Sequence, residues 1–392
     1  MEERRKRPAA TMKEFCHQSP AEGGSPLVIH VVTSLDFGGV ERHMEVIASV
    51  LGQAKLRHMF VAIGRGGAAE LWLKEHGAEV RCLGQKTLIP SATALRALLY
   101  LFRRERPFVV HTHGAEANFH GLLSAWILRV PVRIGEEIGI PNHSVLARRV
   151  FRLIYKTAHA VVSVSQSVTD WLVTSGEVSQ IKTKQIFNPI AIPTQNELVP
   201  LADEVFRIAF VGRLEAVKNA GALLDAFALL VDGGTASELW LVGDGSEREA
   251  LEQRIAERRL TNHVRFWGYQ RDPAPLIRQC HIFVQPSISE GFSLALVEAM
   301  RCGLPVIATA VGGAPEVIDH ERTGWLLPQA TPELIADSLK KAWQLGQHHL
   351  REMGMRARES VEGRFTPNRY LEEIENVYIA LDNGRASRCS NA

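Results

Sequence analysis

The sequence predicts an α/β protein of two domains, each built on a parallel sheet. Strand-like apolar runs alternate with helical patterns along most of the chain, an order that produces parallel sheets covered by helices. The chain has 392 residues, more than one hydrophobic core usually holds, so two domains are expected. In such folds ligands bind at the carboxyl ends of strands. The turns that follow the strands are therefore where functional residues are expected.

Two strand-like runs in the first half end near candidate residues. The first run of the chain is followed by Gly38 and Gly39 at the start of a helical pattern, a weak signal because many strand-to-helix turns use glycine. A later run ends in a turn that contains His111 and His113. The plain interpretation of these histidines is one core residue and one polar loop residue. A metal pair is disfavoured because no third ligand is spaced nearby.

The second half begins with a motif suited to an anion. Residues 207–214 read as a buried strand ending in a turn that contains Gly212 and Arg213, and Lys218 follows before a helical pattern. Near the end of one strand, Arg offers a bidentate fork and Lys a point charge, so the two can converge on one anion. Either cation alone is more often a solvated surface residue. Their common position after a strand favours the anion.

The run 289–300 places two carboxylates around a glycine turn and a helix start. Gly291 would let the backbone approach a ligand, and the helix beginning near Ser293 would direct unpaired N–H groups and a positive dipole toward it. That end suits a phosphate. Glu290 would precede the helix and Glu298 would lie about one turn inside it, positions suited to sugar hydroxyls. A nucleotide sugar supplies both groups; the alternative is a helix with a capping acid and an exposed acid.

Together these segments resemble the retaining glycosyltransferases of family 4, also called group 1, over nearly the whole chain. The resemblance implies the GT-B architecture, two Rossmann-like domains facing each other across a cleft. It implies that Arg213 and Lys218 bind the donor diphosphate, that Glu290 binds the donor sugar and that Glu298 binds the ribose. The catalytic residues that it implies are His113, Arg213, Lys218 and Glu290. The donor-binding residues that it implies are Gly38, Gly39, Gly212, Gly268, Tyr269, Gly291, Phe292, Ser293, Leu294 and Glu298.

The predicted domains follow these motifs. We expect a disordered basic tail over 1–25, an acceptor-binding domain over 26–187, a linker over 188–206, a donor-binding domain over 207–365, a C-terminal helix over 366–383 that crosses back to the first domain, and a tail over 384–392. The first tail lacks the apolar stretch of a signal peptide, and no segment approaches the roughly 20 apolar residues of a membrane span. Five scattered cysteines argue against a disulfide framework. We therefore expect a cytoplasmic protein.

The charge distribution is uneven along the chain. Residues 1–200 contain 24 Lys and Arg against 17 Asp and Glu, a formal charge of +7, and the remainder carries −5. The helical patterns at 94–104 and 147–156 combine cations with apolar residues, which suits peripheral contact with an anionic membrane. The alternative is a pair of ordinary surface helices covering their own sheet. The sequence leaves both interpretations open.

The expected reaction is transfer of a sugar, with retention of configuration, from a nucleotide-diphosphate sugar to a glycan or lipid-linked glycan. A UDP-sugar is favoured over GDP-mannose, and cell-surface polysaccharide or lipopolysaccharide synthesis is the expected setting. No cofactor, metal or nucleic acid is expected, and the chain contains no Asp-x-Asp that would hold a divalent ion. The alternatives are a nucleotide-sugar epimerase or hydrolase of the same architecture, a transferase with a small soluble acceptor, and a silent relative. A dinucleotide oxidoreductase is disfavoured because no Gly-x-Gly-x-x-Gly follows the first strand.

Overall fold

The structure is a computed structural model that describes residues 25–36, 38–191 and 205–390, with side chains described up to residue 383. The chain divides into two compact units. Unit 1 comprises the described residues up to Pro189 and from Pro367 onward, and unit 2 extends from Ile190 to Thr366. Outside the described residues lie residues 1–24 of the predicted tail, most of the predicted linker and the last two residues.

Unit 1 is built on a parallel sheet with seven strands among the described residues. These are β1 (Leu27–Val32), β2 (Arg57–Ala62), β3 (Glu79–Cys82), β4 (Val109–His113), β5 (Val132–Glu137), β6 (Ala160–Ser163) and β7 (Thr183–Gln185). Their order in the sheet is β3-β2-β1-β4-β5-β6-β7. Every residue of β1 is buried, as expected for a central parallel strand covered by helices on both faces.

Seven helices cover this sheet within the described residues. They are α1 (Gly39–Ala48), α2 (Ala68–Glu75), α3 (Ala92–Glu105), α4 (Ala115–Ile127), α5 (Val145–Thr157), α6 (Gln166–Thr174) and α13 (Pro367–Ser390). The last of them extends past its predicted end at residue 383. Tyr370 and Tyr378 pack among core residues of β1 and β2, and the Glu375 carboxylate accepts the backbone N–H groups of Lys55 and Leu56 at 3.0 and 3.1 Å. These contacts attach α13 to unit 1.

Unit 2 repeats the same plan with a six-stranded parallel sheet. Its strands are β8 (Phe206–Val211), β9 (Ser237–Val242), β10 (Val264–Gly268), β11 (Ile282–Gln285), β12 (Val306–Thr309) and β13 (Gly324–Leu327), in the order β10-β9-β8-β11-β12-β13. Its helices are α7 (Ala220–Asp232), α8 (Arg248–Glu257), α9 (Ala274–Ile277), α10 (Leu294–Arg301), α11 (Ala314–Val317) and α12 (Pro332–Val361). The α/β prediction with two Rossmann-like units is confirmed.

The strand order of each sheet contains one point at which the direction of progression reverses. In unit 1 this point lies between β1 and β4, and in unit 2 it lies between β8 and β11. Loops leaving neighbouring strands on opposite sides of such a point diverge, which opens a crevice at the carboxyl edge of the sheet. The predicted motifs that contain Gly38, His113, Lys218 and Glu290 lie at the carboxyl ends of these four strands. No helix among the described residues is long and apolar enough to cross a membrane.

Candidate functional site

Glu290 lies in the loop after β11, at the reversal point of unit 2. Its Oε1 accepts three hydrogen bonds, from Lys218 Nζ at 2.5 Å, from the Ser287 hydroxyl at 2.7 Å and from Gln285 Nε2 at 2.9 Å. Its Oε2 makes no hydrogen bond with any described residue. The carboxylate is therefore held firmly through one oxygen, and the other can accept a ligand hydroxyl.

The loop after β8 brings Lys218 to this carboxylate. Its backbone is joined to the β11 loop by a hydrogen bond from the Ile288 N–H to the Val217 carbonyl at 2.8 Å. Arg213 comes from the same loop, but its guanidinium pairs with Glu215 at 2.8 Å and its side chain is 56% exposed. Each cation thus has its own carboxylate partner, and the convergence of both on one anion stays a prediction.

Helix α10 begins at the same loop. The Ser293 hydroxyl accepts the Leu296 N–H at 3.2 Å, so this residue is the N-cap, as the sequence predicts, and the same hydroxyl donates to Gln285. Glu298 is half-buried one turn further along the helix. Gly291 and Phe292 precede this cap, and Leu294 is the first residue of the helix. The first N–H groups of α10 have no partner within the helix, and the helix dipole favours negative charge at this end.

Two glycines allow the loops of unit 2 to approach one another. A Cβ on Gly243 would lie 1.9 Å from the Gly212 carbonyl oxygen, and a Cβ on Gly312 would lie 2.6 Å from the Glu290 carbonyl oxygen. Both residues also have positive φ values, so a side chain there would be strained as well as blocked. The Gly243 N–H donates to the carbonyl of Gly268, the last residue of β10, at 2.8 Å. Tyr269 follows and is 56% exposed.

In unit 1, His113 belongs to a buried network of histidines. Its Nε2 lies 3.0 Å from Nδ1 of His30, whose Nε2 lies 2.9 Å from Nδ1 of His58. Its own Nδ1 lies 2.9 Å from Oε2 of Glu136, which is also 3.1 Å from Nε2 of His111. Nε2 of His113 is therefore hydrogen-bonded to His30, whereas Nδ1 lies close to Glu136 without the geometry of a hydrogen bond. A hydrogen bond from His113 to a donor sugar, as the resemblance implies, would have to displace one of these two contacts.

Glu136 carries the charge of this network. Burial alone would raise the pKa of its carboxyl, but the electrostatic influence of His113 and the contacts with His111 and His113 outweigh burial and hold that pKa well below its usual range. Burial lowers the pKa of His43 to about 3 and that of His111 to about 4. Glu136 is thus an anion beside the neutral imidazoles of His43 and His111.

These contacts correct two expectations. His113 is the last residue of β4 and is buried, so it does not lie in a polar turn. The absence of a third ligand near the histidine pair is also wrong, because donor atoms of His30, His111 and His113 lie within 4.8 Å of one another, as do those of His43, His113 and Glu136. Either set could hold a metal ion, and several of these atoms, including both ring nitrogens of His43 and Oε1 of Glu136, have no hydrogen-bond partner among the described residues. The expectation that no metal is required stays a prediction.

A cavity of about 340 Å³ opens at the carboxyl edge of the unit 1 sheet; we call it the unit 1 cavity. Its walls come from the ends of β1, β4 and β5 and from the first turns of α1 and α4. Three carboxylates line it, from Glu41, Glu116 and Glu137. Its size is within the range of about 300–1,000 Å³ that is typical of small-molecule sites. His113 lines it too, whereas Gly38 and Gly39 stand at the start of α1, just before Glu41.

Glu137 is the most buried of the three carboxylates. Asn118 Nδ2 donates to its Oε1 at 2.9 Å and the Tyr155 hydroxyl donates to the same oxygen, so Oε2 has no hydrogen-bond partner among the described residues. Burial raises the pKa of Glu137 to about 7, against the opposing hydrogen bonds. This side chain can therefore both accept and donate a hydrogen bond near neutral pH.

Several residues of these sites were missed in the sequence. His30, His43, His58, Glu136 and Glu137 belong to the network or the unit 1 cavity. The available signal was the occurrence of charged or titratable residues at the ends of, or inside, apolar strand-like runs. Polar residues in such runs need buried partners. Their partners come from other strands, and a single sequence does not reveal them.

Comparison with known protein families divides the chain as the fold does. A model described as glycosyltransferase family 4 matches residues 37–192, and one described as glycosyl transferases group 1 matches residues 193–360. Both halves therefore match domains of one class of enzyme.

Individual proteins give the same result. The capsular polysaccharide biosynthesis glycosyltransferase CapM of Staphylococcus aureus is 24% identical over 74% of this chain and 81% of its own length. The N-acetyl-α-D-glucosaminyl L-malate synthase of Bacillus anthracis is 36% identical over 43% of this chain and 44% of its own length. Among solved structures, Alr3699/HepE of Anabaena, crystallised with UDP and glucose, superimposes with a TM-score of 0.78 at 21% identity, covering 90% of this chain and 99% of that one. This likeness establishes the GT-B fold.

Proposed function

The chain belongs to glycosyltransferase family 4, and from that membership we propose that it transfers a sugar from a nucleotide-diphosphate sugar with the anomeric configuration kept. It is a glycosyltransferase acting on nucleotide sugars and is related to enzymes of polysaccharide synthesis. The observation that carries the finer proposal is the pairing of Lys218 with Glu290 beside the start of α10. This arrangement supplies positive charge for a diphosphate and a carboxylate for sugar hydroxyls.

The reaction breaks the bond between the sugar C1 and the diphosphate oxygen and forms a bond from C1 to the acceptor oxygen. Negative charge develops on the departing diphosphate, where Lys218, Arg213 and the N–H groups of α10 would stabilise it. The acceptor hydroxyl would transfer its proton to a phosphate oxygen of the leaving group on the same face of the sugar. No separate base is needed for this step. Glu290 would hold hydroxyls of the transferred sugar through its second oxygen.

We favour a UDP-sugar as the donor, and GDP-mannose is the second donor to test. The complex of Alr3699/HepE with UDP and glucose supports this preference. Hydrolysis assays with UDP-glucose, UDP-N-acetylglucosamine, UDP-galactose and GDP-mannose would identify the donor. Proton NMR of the product then tests retention: the new linkage should keep the anomeric configuration of the donor, and an inverted linkage would refute the mechanism.

We further propose that the acceptor is a glycan on a lipid carrier at an anionic membrane surface. The support comes from α5, which follows directly on the loop 138–143 that lines the unit 1 cavity. Leu146 and Leu153 on this helix are 71% and 63% exposed, and Arg149 and Lys156 are exposed at helical spacing beside them. Exposed leucines between cations suit the interface of an anionic membrane. The similarity to an N-acetyl-α-D-glucosaminyl L-malate synthase makes a small soluble acceptor the alternative.

A further inference from the structure

We propose that the unit 1 cavity binds the acceptor through an uncharged, hydroxyl-bearing sugar ring, and that Glu116 and Glu137 determine this specificity. The inference rests on the proposed transfer function and defines its acceptor more closely. It starts from the charges in the cavity wall. None of the fifteen described residues that line the cavity is Lys or Arg. A phosphate or carboxylate placed there would find no cation.

The two histidines in the wall do not change this balance. His113 faces Glu136 at 2.9 Å, and His143 lies 2.9 Å from the buried Glu177. Each imidazole therefore already lies beside a buried carboxylate. An anionic ligand has no unpaired positive group to bind.

The starts of α1 and α4 also line the cavity, and helix starts often bind anions. Each of these starts already has a carboxylate in its first turn. Glu41 lies in the first turn of α1 and accepts the Ser34 hydroxyl at 2.8 Å. Glu116 lies in the first turn of α4 and accepts the Thr33 hydroxyl at 3.3 Å. A carboxylate in the first turn interacts favourably with the positive end of the helix dipole. These two carboxylates already lie at the helix ends, so neither end is open to an anionic ligand.

Glu137 points to the kind of group that is bound. It is only 4% exposed, it lines the cavity, and both of its hydrogen bonds end on Oε1. Oε2 is left to the ligand. A ligand hydroxyl group can donate a hydrogen bond to this oxygen.

The remaining wall is apolar and suits a sugar ring. Val40, Ile138, Ile140 and Pro141 line the cavity beside the carboxylates. A pyranose combines hydroxyl groups with C–H faces, which such a mixed surface can bind. A dicarboxylic acid presents no comparable apolar face, and a sugar phosphate adds an anion for which the wall offers no Lys or Arg.

Substitution of Glu116 by Gln tests the proposal through the sign of its effect. If the acceptor is a neutral sugar, loss of a charged acceptor group should raise the acceptor KM by roughly 10- to 150-fold, with the change in the acceptor KM rather than in the donor KM. If the acceptor is an anion, removal of a repelling carboxylate should lower the acceptor KM and overturn the proposal. Glu137→Gln should act in the same direction as Glu116→Gln. Glu75→Gln, at the exposed end of α2, is the matched control.

An acceptor panel provides the second measurement. With the donor that is hydrolysed fastest, neutral hexosides and N-acetylhexosaminides should accept the sugar, whereas malate and sugar phosphates should not. Transfer confined to anions would overturn the inference while leaving glycosyl transfer in place. If no nucleotide sugar is hydrolysed or transferred at all, the proposed function itself fails, and the inference fails with it. The two failures are therefore distinguishable.

Discussion

Glu290 and Glu298 are placed for different tasks, although both are carboxylates on one run of sequence. Glu290 precedes α10 and is fixed through Oε1 by Lys218 and two neutral donors. Glu298 is half-buried within the helix. A carboxylate that is paired with Lys218, the proposed diphosphate ligand, can affect the chemical step. A carboxylate further along the helix can affect only the binding of the donor beside it.

We expect Glu290→Gln mainly to lower kcat and Glu298→Gln mainly to raise the donor KM. Loss of a charged hydrogen-bond partner costs on the order of 1.5–3 kcal/mol, or roughly 10- to 150-fold in the affected constant. Steady-state kinetics with varied donor separates the two effects. The exposed Glu359→Gln on α12 is the control. Wild-type constants in both variants would show that the two residues do not contact the donor.

Glu137 should make the stability of unit 1 depend on pH. Burial raises its pKa from an ordinary 4.5 to about 7, so between these values the folded state keeps a proton that the unfolded state has released. The free energy of unfolding therefore falls as pH rises from about 4.5 to about 7, by on the order of 3 kcal/mol.

Glu137→Gln should remove this component, because an amide oxygen can still accept the bonds from Asn118 and Tyr155 without titrating. Denaturation midpoints of wild type and variant at pH 5 and pH 8 measure the difference. The variant should gain stability relative to wild type at pH 8 only. An equal difference at both pH values would show that Glu137 titrates normally.

Helix α5 combines a structural face and an exposed face in one element. Phe151 and Ile154 are buried, while Leu146, Arg149 and Lys156 are exposed. The amphipathic pattern therefore explains the packing of the helix but not its exposed leucines. Arg148 is half-buried, and Arg152 donates to the Gly176 carbonyl at 2.6 Å, so these two arginines have structural environments.

We expect the double variant Arg149→Glu, Lys156→Glu to lose binding to anionic vesicles. The cations attract the lipid surface over a distance that salt shortens, so wild-type binding should weaken at high ionic strength. Sedimentation with vesicles of anionic and of neutral lipid measures this. Lys340→Glu, Lys341→Glu on the exposed face of α12 is a control with the same change in charge. No wild-type binding at low salt would favour a small soluble acceptor.

The whole chain carries its charge unevenly, +7 over residues 1–200 and −5 over the remainder. The first half contains the basic helices α3 and α5, and the membrane proposal uses α5. The second half is acidic overall, yet Arg213 and Lys218 follow β8 at the reversal point of its sheet. The proposed diphosphate site therefore depends on the positions of these two cations rather than on net charge.

We expect transfer to need no divalent metal, because these two cations and the start of α10 take the place of a metal at the diphosphate. Initial rates with and without EDTA, followed by addition of Mn²⁺ or Mg²⁺, check this. Unchanged rates are the expected outcome. Activity that EDTA abolishes and Mn²⁺ restores would contradict it and would direct attention to the set His43, His113 and Glu136.

The sequence by itself determined the α/β class, the two-domain plan, the family and the start of α10 at Ser293. These features depend on patterns within a few consecutive residues, such as apolar periodicity, a capping serine or a glycine turn after a strand. Such patterns can be read without knowing what lies nearby in space. The proximity of Lys218 and Glu290 could be anticipated from the sequence, because both motifs follow strands that could be identified.

Only the tertiary structure decided how polar residues from distant strands meet. His30 contacts His113 across 83 positions of sequence, and parallel pairing sets Glu136 directly opposite His113. The order of strands in the sheet determines these contacts, and strand order depends on long-range packing. The unit 1 cavity, with Glu116 and Glu137 in one wall, arises in the same way, because its residues come from separate strands and helices that converge at one edge of the sheet.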